Sequence, residues 1–180
     1  MWTALKKVSQ RYPHLPPYPT PGNHDIWSPA SQRIYEEQTG QKPYYSFNYQ
    51  DAHFTVLDNS RTPDLSEEQL KFLEDDLKQN RKRSPKFVFF HRPFWILPVG
   101  AGNRDFPLHR LAKEYGVNYV IAGHGHQFVR LPMDGVTYME VGSSGGNMTK
   151  GLLSGQGFNQ GWFYQHVWVR VKGSQVKVTV

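Results

Sequence analysis

The sequence predicts a layered α/β fold, because short buried strands alternate with helices in its middle and hairpins follow at its end. Two all-apolar runs, Phe87 to Phe90 and Tyr119 to Ala122, are typical of strands buried on both faces. A helical pattern from about Phe106 to Tyr115 separates them. Val129 to Val141 then predicts a hairpin around Asp134-Gly135. This order favours an α/β sandwich over a single Rossmann-type sheet.

The elements on either side of this middle section follow from apolar spacing and turn residues. Trp2 to Tyr12 predicts a short amphipathic helix, and the proline-rich run after it is extended because proline disfavours helix at the preceding residue. Tyr44 to Tyr49 and His53 to Leu57 predict two paired strands. His166 to Val180 predicts two more strands, joined around Gly173-Ser174.

One further helix is predicted from its capping residues. Ser66 begins it, and Gln69, three residues later, completes a capping box. Leu70, Leu73 and Leu77 recur at helical spacing, which extends the helix to about Asn80.

Composition indicates one soluble globular domain over residues 1–180. Hydrophobic residues make up 38% of the 180 residues and charged residues 20%, which excludes a disordered chain. We see neither a signal peptide nor an apolar run of the roughly 18 residues that a membrane-spanning helix requires. The sequence has no cysteine, so any metal must be held by histidine, asparagine or carboxylate, and the compartment is open.

A formal net charge of +6 raises the question of an anionic partner. Much of the excess positive charge lies at the C-terminal end of the helix that begins at Ser66, where cations stabilise the helix dipole. These residues are Lys78, Arg81, Lys82, Arg83 and Lys86. Binding to nucleic acid predicts basic and aromatic residues on a shared face. The sequence shows only one basic helix end, so we expect neither a nucleic acid nor a membrane as partner.

Three polar clusters lie where extended or buried segments stop. They are Gly22-Asn23-His24-Asp25, His91-Arg92-Pro93 and Gly123-His124-Gly125-His126. In open α/β folds, ligands bind beyond the carboxyl ends of the strands. Imidazole and amide oxygen are good ligands for zinc, iron or manganese. His124 and His126 cannot point the same way in a regular strand, because alternate side chains point to opposite faces. We therefore expect Gly123 and Gly125 to relax the backbone so that both histidines face one site or two adjacent metals.

These clusters closely resemble the last three motifs of the calcineurin-like metallophosphoesterases, including the purple acid phosphatases. Val88-Phe89-Phe90-His91 matches the purple acid phosphatase form especially well, and the likeness runs from Tyr12 to about Asn147. The resemblance implies a layered α-β-β-α sandwich, N-terminally incomplete, with the chain forming the C-terminal part of the family domain. It also implies a metal-dependent phosphoesterase that hydrolyses a phosphate ester through a metal-activated hydroxide.

The resemblance assigns roles position by position. Asn23, His91 and His124 resemble ligands of the second metal, and His126 resembles a ligand of the first. His24 resembles the catalytic histidine that contacts the phosphate and protonates the leaving group; the substrate would also contact Asn23. Asp25 is the second catalytic residue and would orient the ring of His24. The implied cofactors are divalent or trivalent iron, zinc or manganese ions, two in the intact family site and one or two here.

The family pattern opens with Asp-x-His and Gly-Asp-x-x-Asp or Gly-Asp-x-x-Tyr, and neither precedes Gly22. Those residues would supply the bridging aspartate, and Asp58, read as a solvated strand end, is no credible replacement. Three explanations are open: a fragment, half of a split enzyme completed by another polypeptide, or a minimal variant that binds one metal or recruits ligands by dimerising. A non-catalytic remnant acting as a binding module is the rival hypothesis.

One last segment, Gly142 to Gly161, is rich in glycine and serine and has no Walker-type sequence. It could border the pocket, with Asn147 against the substrate, or form a plain loop. The sequence identifies neither the substrate nor the metal, and it does not separate monoester from diester chemistry.

Overall fold

The computed structural model describes residues 2–143 and 161–180, which form an α/β fold around a six-stranded sheet. The sheet has the strand order β1-β2-β3-β4-β6-β5. Its strands are β1 Tyr45–Tyr49, β2 Ala52–Val56, β3 Lys86–Phe89, β4 Tyr119–Ala122, β5 Val129–Met133 and β6 Val136–Glu140. A second sheet pairs β7 Trp168–Lys172 with β8 Gln175–Thr179. The helices are α1 Trp2–Arg11, α2 Pro29–Thr39, α3 Glu67–Gln79, α4 Ile96–Gly100 and α5 Pro107–Glu114.

The central strands of the large sheet are parallel, which decides where a ligand site can form. Strands β2, β3, β4 and β6 run in one direction, and the edge strands β1 and β5 are antiparallel to their neighbours. The carboxyl ends of the four parallel strands therefore meet at one edge of the sheet. Loops that leave this edge are the expected place for a ligand.

Each face of the large sheet is packed differently. Helices α3, α4 and α5 cover one face, with Leu73, Leu77 and Leu108 almost fully buried against Val88 and Val120. Removing one such side chain from water stabilises the fold by roughly 1.5–3 kcal/mol. The small sheet lies on the other face, which adds a second β layer. The layered α/β prediction is therefore confirmed.

The small sheet packs against a ladder of aromatic rings. Val176 and Val178 of β8 contact the patch that includes Phe87 and Tyr119. The rings of Phe47, Phe54, Phe87 and Tyr119 stack in succession across β1, β2, β3 and β4, with centroids 4.8, 5.1 and 5.5 Å apart. Such offset stacking joins the four strands through their side chains as well as their backbones.

Two helices, α2 and α4, are absent from the sequence-based prediction. Ser28 caps α2 by accepting a hydrogen bond from the Ser31 amide, and the Ser31 hydroxyl accepts one from the Ser28 amide. Pro29 occupies the first turn, and Gly40 ends the helix with φ at 70°. These residues are ordinary start and stop signals of a helix, so α2 could have been predicted from the sequence.

The capping box predicted for α3 is only half formed. The Ser66 hydroxyl accepts a hydrogen bond from the Gln69 amide, as expected. The Gln69 side chain does not turn back to Ser66; it donates to the Asp58 carbonyl at 2.6 Å and accepts from the Asp58 amide at 2.7 Å. Since Gln69 is buried beneath the β2–α3 loop, these backbone groups compete successfully with the helix end.

Across residues 2–143 and 161–180, no helix combines the length and the apolar character that crossing a membrane requires.

Candidate metal centre

A tight turn carries Asn23 and His24 at the entrance to α2. The Gly22 carbonyl accepts hydrogen bonds from the amides of Asp25 and Ile26. The Asp25 carboxylate closes the turn by accepting one from the Gly22 amide at 2.9 Å. Upstream, the hydroxyls of Tyr35 and Tyr45 both donate to the carbonyl of Pro19, at 2.8 and 2.9 Å. The proline-rich segment is thus fixed to α2 and β1, which holds Asn23 in place.

His91 lies just beyond β3 and is held by a buried asparagine. The Asn59 side-chain oxygen accepts hydrogen bonds from the amides of His91 and Arg92, at 3.0 and 2.8 Å. The Asn59 amide group donates to the carbonyls of Arg92 and Pro63. Asn59 is fully buried, so this one side chain satisfies the backbone groups of the turn and aims the His91 ring.

The loop after β4 presents His124 and His126 in an unusual conformation. Both have positive φ, 76° and 59°, whereas Gly123 and Gly125 do not. The expectation that Gly123 and Gly125 provide the unusual backbone conformation is therefore wrong, because the two histidines adopt it themselves. Non-glycine residues in the left-handed region are costly, by roughly 1–2 kcal/mol each, and such costs concentrate at functional sites.

Gly125 is needed for space. A Cβ built there would lie 2.1 Å from Oε1 of Glu140, the last residue of β6. Glu140 is 2% exposed, and its Oε1 has no hydrogen-bond partner in the described part of the chain. Burial raises the pKa of Glu140 to about 7, although the amides of Gly125 and Gln127 oppose the shift. A buried carboxyl group that is about half protonated at pH 7 thus lies directly beneath the histidine loop.

The three turns bring three ligand atoms together. Nε2 of His91 lies 2.7 Å from Oδ1 of Asn23, and Nδ1 of His124 lies 3.2 Å from the same oxygen. The two ring nitrogens are 3.0 Å apart. These residues are far apart in sequence and belong to three different loops, so their convergence is a property of the fold. We call Asn23, His91 and His124 the convergent trio.

Electrostatics keeps the two rings of the trio neutral. Burial, assisted by the nearby charges of His124, Arg92, His24 and His126, lowers the pKa of His91 to about 4. Burial also lowers the pKa of His124, assisted by Arg92, His126 and His24. Neutral imidazole is the form that binds a metal ion.

The trio fits one metal ion by its chemistry and its spacing. Ligand atoms about 2.0–2.1 Å from a shared ion lie roughly 3.0–3.4 Å from one another, and the observed separations of 2.7–3.2 Å are close to that range. Two imidazole nitrogens and an amide oxygen suit zinc, iron or manganese. Within residues 2–143 and 161–180, no three His, Cys, Asp or Glu residues are arranged to hold a metal. The trio contains two such residues and an amide.

The other predicted site residues lie around the trio. His24 is exposed and His126 half-buried, and both are near enough for their charge to lower the pKa of His91 and His124. The Asp25 carboxylate is engaged by the Gly22 amide, and burial raises its pKa. Its orientation of the His24 ring and the roles of all these residues toward a metal or a substrate stay predictions.

Carboxylates elsewhere do not complete the trio. Asp58 is buried, with Oδ1 accepting from the Ser60 amide, so its description as a solvated strand end is wrong. Asp51-Ala52-His53 matches the Asp-x-His pattern. It lies at the β1–β2 turn, however, at the opposite end of the parallel strands from the trio. There the His53 ring is bonded to Asp76 at 2.9 Å and to Asn48 at 2.8 Å.

Sequence reasoning missed two residues that shape the centre, Asn59 and Glu140. An asparagine three residues after a strand end is a recognisable loop signal, but the groups that Asn59 bonds could not be predicted from the sequence. Glu140 ends β6 as a buried carboxyl group after Tyr138 and Met139, and a buried acid is unusual enough to have drawn attention to it.

The fold and this site define the chain as a member of the calcineurin-like phosphoesterase family, whose model matches residues 3–128. Among curated proteins, it is similar to "Purple acid phosphatase 15" of Arabidopsis thaliana, 30% identical over 155 residues; the match covers 72% of this chain and 29% of that protein. The chain therefore spans under a third of this relative's length.

Two solved structures are also similar. The purple acid phosphatase PPD1 from yellow lupin (Lupinus luteus) seeds gives a TM-score of 0.53 at 18% identity, covering 68% of this chain and 30% of that one. "GAP50 the anchor in the inner membrane complex of Plasmodium" gives 0.46 at 19% identity, covering 76% and 45%. The lupin structure supports the fold.

Proposed function

We propose that this chain is a metal-dependent phosphoesterase module in which Asn23, His91 and His124 bind one metal ion and His24 is the general acid. The observation that carries the proposal is the convergence of the trio's three ligand atoms within 3.2 Å of one another. Family membership adds the reaction class, hydrolysis of a phosphate ester. When bound, such an ion binds phosphoryl oxygens and lowers the pKa of a bound water.

The chain's own residues would perform the remaining steps. His24 is exposed at the rim of the site, where its ring can donate a proton to the departing ester oxygen. Asn23, next to it, would contact the phosphate as well as the ion. His126, across the loop from His124, would be a ligand of a second ion.

A second metal ion needs carboxylate ligands that the described residues do not bring to the trio. We therefore propose that full activity needs ligands from a further polypeptide segment or from a second subunit. Residues 1–180 would then be the C-terminal part of one family domain. The rival function is a non-catalytic module that binds an ion or an anionic ester without hydrolysis. It is favoured because no carboxylate among residues 2–143 and 161–180 joins His91 and His124 in a set that could hold a metal.

Metal titration of the purified chain tests the binding step. Calorimetry with Zn²⁺ should give about one ion per chain. His91→Ala should weaken zinc binding roughly 100-fold or more, because removing even a residue that only hydrogen-bonds to a metal ligand lowers the affinity about 10–100-fold. His14→Ala, which changes an exposed histidine outside the site, is the matched control. Equal zinc binding by the wild-type chain and His91→Ala would refute the proposal.

Hydrolysis of p-nitrophenyl phosphate and of its bis ester tests the chemical step. His24→Ala should lower turnover about 10²–10⁴-fold, the usual contribution of a general acid, while leaving zinc binding intact. Turnover per chain that rises with protein concentration would indicate a second subunit in the site. Zinc binding without turnover at any concentration would support the binding module.

A further inference from the structure

The C-terminal hairpin carries a surface that the phosphoesterase proposal does not use. Alternate residues Tyr164, His166, Trp168, Arg170 and Lys172 are all exposed, with Tyr164 at 60% and Trp168 at 68%. Between them, Gln165 is 7% exposed and Val167 is half-buried, whereas Val169 and Val171 are 42% and 40% exposed. Alternation with a period of two is the geometry of an extended strand.

Strand β8 extends this surface with another cation. Lys177 pairs directly with Arg170, and Thr179 pairs with Trp168. We call the surface formed by Tyr164, His166, Trp168, Arg170, Lys172 and Lys177 the outer ribbon face. Like charges directly opposite each other destabilise a strand pair, and none of the ion pairs formed within residues 2–143 and 161–180 involves these three cations. Stability of the hairpin therefore does not explain them.

The outer ribbon face continues into the basic end of α3. The hairpin turn, Gly173 and Ser174, lines a cavity of about 630 Å³ together with Lys78, Lys82 and Arg83. Asp51 is the acidic residue on its wall. The basic end of α3 thus lies beside the turn of the hairpin that carries the ribbon cations.

Against the expectation drawn from the sequence, which noted only the basic helix end, we propose that the outer ribbon face binds single-stranded nucleic acid. Bases would stack on Trp168 and its aromatic neighbours, and the cations would bind the phosphates. Adjacent side chains on one face of a strand are about 6.6–6.8 Å apart, so Trp168, Arg170 and Lys172 of β7 form a row. The His166 ring lies 6.0 Å from the Trp168 ring at the start of this row. Stacking on aromatic side chains requires unpaired bases, and a cationic surface follows the phosphates. Sequence preference is expected to be weak, because every base has a face that can stack.

The chemistry of the face favours nucleic acid over an anionic membrane. A membrane-binding surface gains its affinity by burying apolar side chains among the lipids. The outward positions of the hairpin carry no aliphatic residue: beyond the outer ribbon face they are Gln175 and Thr179. Val176 and Val178 of β8 pack against the large sheet. Val171 and Val169 of β7 pair with them and so share their side of the hairpin, although they are 40% and 42% exposed.

Fluorescence anisotropy with a labelled 20-nucleotide oligo(dT) tests the proposal on the full chain. Trp168→Ala should weaken binding roughly 5- to 150-fold, the usual effect of one stacked base, and Trp168→Phe should retain most of it. The double change Arg170→Gln with Lys177→Gln should lower the slope of log affinity against log salt by about 1.4, since each phosphate contact contributes about 0.7. Arg33→Gln with Lys42→Gln removes the same charge elsewhere on the surface and should leave the slope nearly unchanged.

Each outcome decides the question. Tighter binding to oligo(dT) than to a duplex of equal length, lost in the double ribbon variant, supports the proposal. Equal loss in the Arg33/Lys42 control would show a general charge effect and overturn it. Binding to phosphatidylserine vesicles but not to oligo(dT) would overturn it in favour of a membrane. Where Trp168→Ala fails to fold, the double charge variant carries the decision.

Discussion

Two histidines at opposite ends of the same parallel strands have contrasting surroundings. His53 begins β2 and is fully buried, with one ring nitrogen bonded to Asn48 and the other to Asp76. Thr55 and Ser46 donate to the same Asp76 carboxylate at 2.7 Å. His91 lies beyond the end of β3, half-buried, and faces a second imidazole and an amide instead of an acid.

The difference separates a structural histidine from a ligand. Around His53, acceptors satisfy every ring N–H and the network is complete. Around His91, two ring nitrogens with lowered pKa face each other at 3.0 Å, an arrangement that a cation between them would stabilise. His109 belongs to the first kind, with its ring between Tyr138 and Asp134. A histidine by itself therefore does not identify a metal ligand. A structural histidine is distinguished from a candidate ligand by the carboxylate that is hydrogen-bonded to its ring.

The largest expected effect comes from removing the acid of the satisfied network. Asp76→Ala leaves His53, Thr55 and Ser46 without their shared partner and should lower the free energy of unfolding by about 3–5 kcal/mol. Urea denaturation measures this. Asp75→Ala is the matched control, because Asp75 forms an exposed pair with Lys71 that contributes about 1 kcal/mol or less. Equal effects of the two changes would show that the buried Asp76 network stabilises the fold no more than an exposed ion pair does.

Zinc should distinguish the second histidine by its effect on stability. At a zinc concentration 100 times Kd, binding stabilises the folded chain by about 2.7 kcal/mol, and thermal unfolding with and without zinc measures the gain. His91→Ala should abolish it, while His14→Ala, an exposed position, should retain it. A stabilisation by zinc that survives in His91→Ala would place the metal elsewhere.

Asn59→Ala tests how the fold aims His91. It leaves the amides of His91 and Arg92 without their acceptor and should cost about 1–3 kcal/mol of stability, together with weaker zinc binding. Asn103→Ala removes a comparable but exposed contact, to the Asp105 amide, and should leave zinc binding unchanged. Full zinc affinity in Asn59→Ala would show that the turn holds His91 without it.

The smallest effect concerns the acid beside His109. Hydrogen bonds from Lys113 and Arg104, and another with the His109 ring, lower the pKa of Asp134 to about 2 from 3.8. A lowered carboxyl pKa contributes stability above the unfolded value, and this contribution disappears as pH falls from about 4 to about 2. Thermal unfolding across that range should show a shallower decline for Asp134→Asn than for the wild-type chain. An unchanged slope would mean that this acid, unlike Asp76, is not coupled to folding.

Much of the fold was predictable because its signals are local. The strands β3 and β4 are short apolar runs, the hairpins turn at Asp134-Gly135 and Gly173-Ser174, and the structure confirms all of them. Helix α2 was missed although Ser28, Pro29 and Gly40 mark its ends, because the motif beginning at Gly22 reads as a loop.

The convergence of the trio follows from strand order, but its details do not. That Asn23, His91 and His124 share an edge can be inferred from buried strands that end in polar clusters. The positive φ of His124 and the use of Gln69 by the Asp58 backbone depend on contacts between distant segments. Contacts between segments that are distant in sequence produce no periodic pattern of residues, so they could not be predicted from the sequence.

The contact between Gly125 and Glu140 has an evolutionary consequence. Because a methyl group at position 125 would overlap a carboxylate oxygen at position 140, position 125 can grow only if the Glu140 side chain moves or is shortened. Gly125→Ala should be harmful by itself and rescued when Glu140→Ala removes the opposing atoms, with zinc affinity as the readout. Homologous chains should accordingly vary these two positions as a linked pair, so that a longer residue in the loop accompanies a shorter one at the strand end.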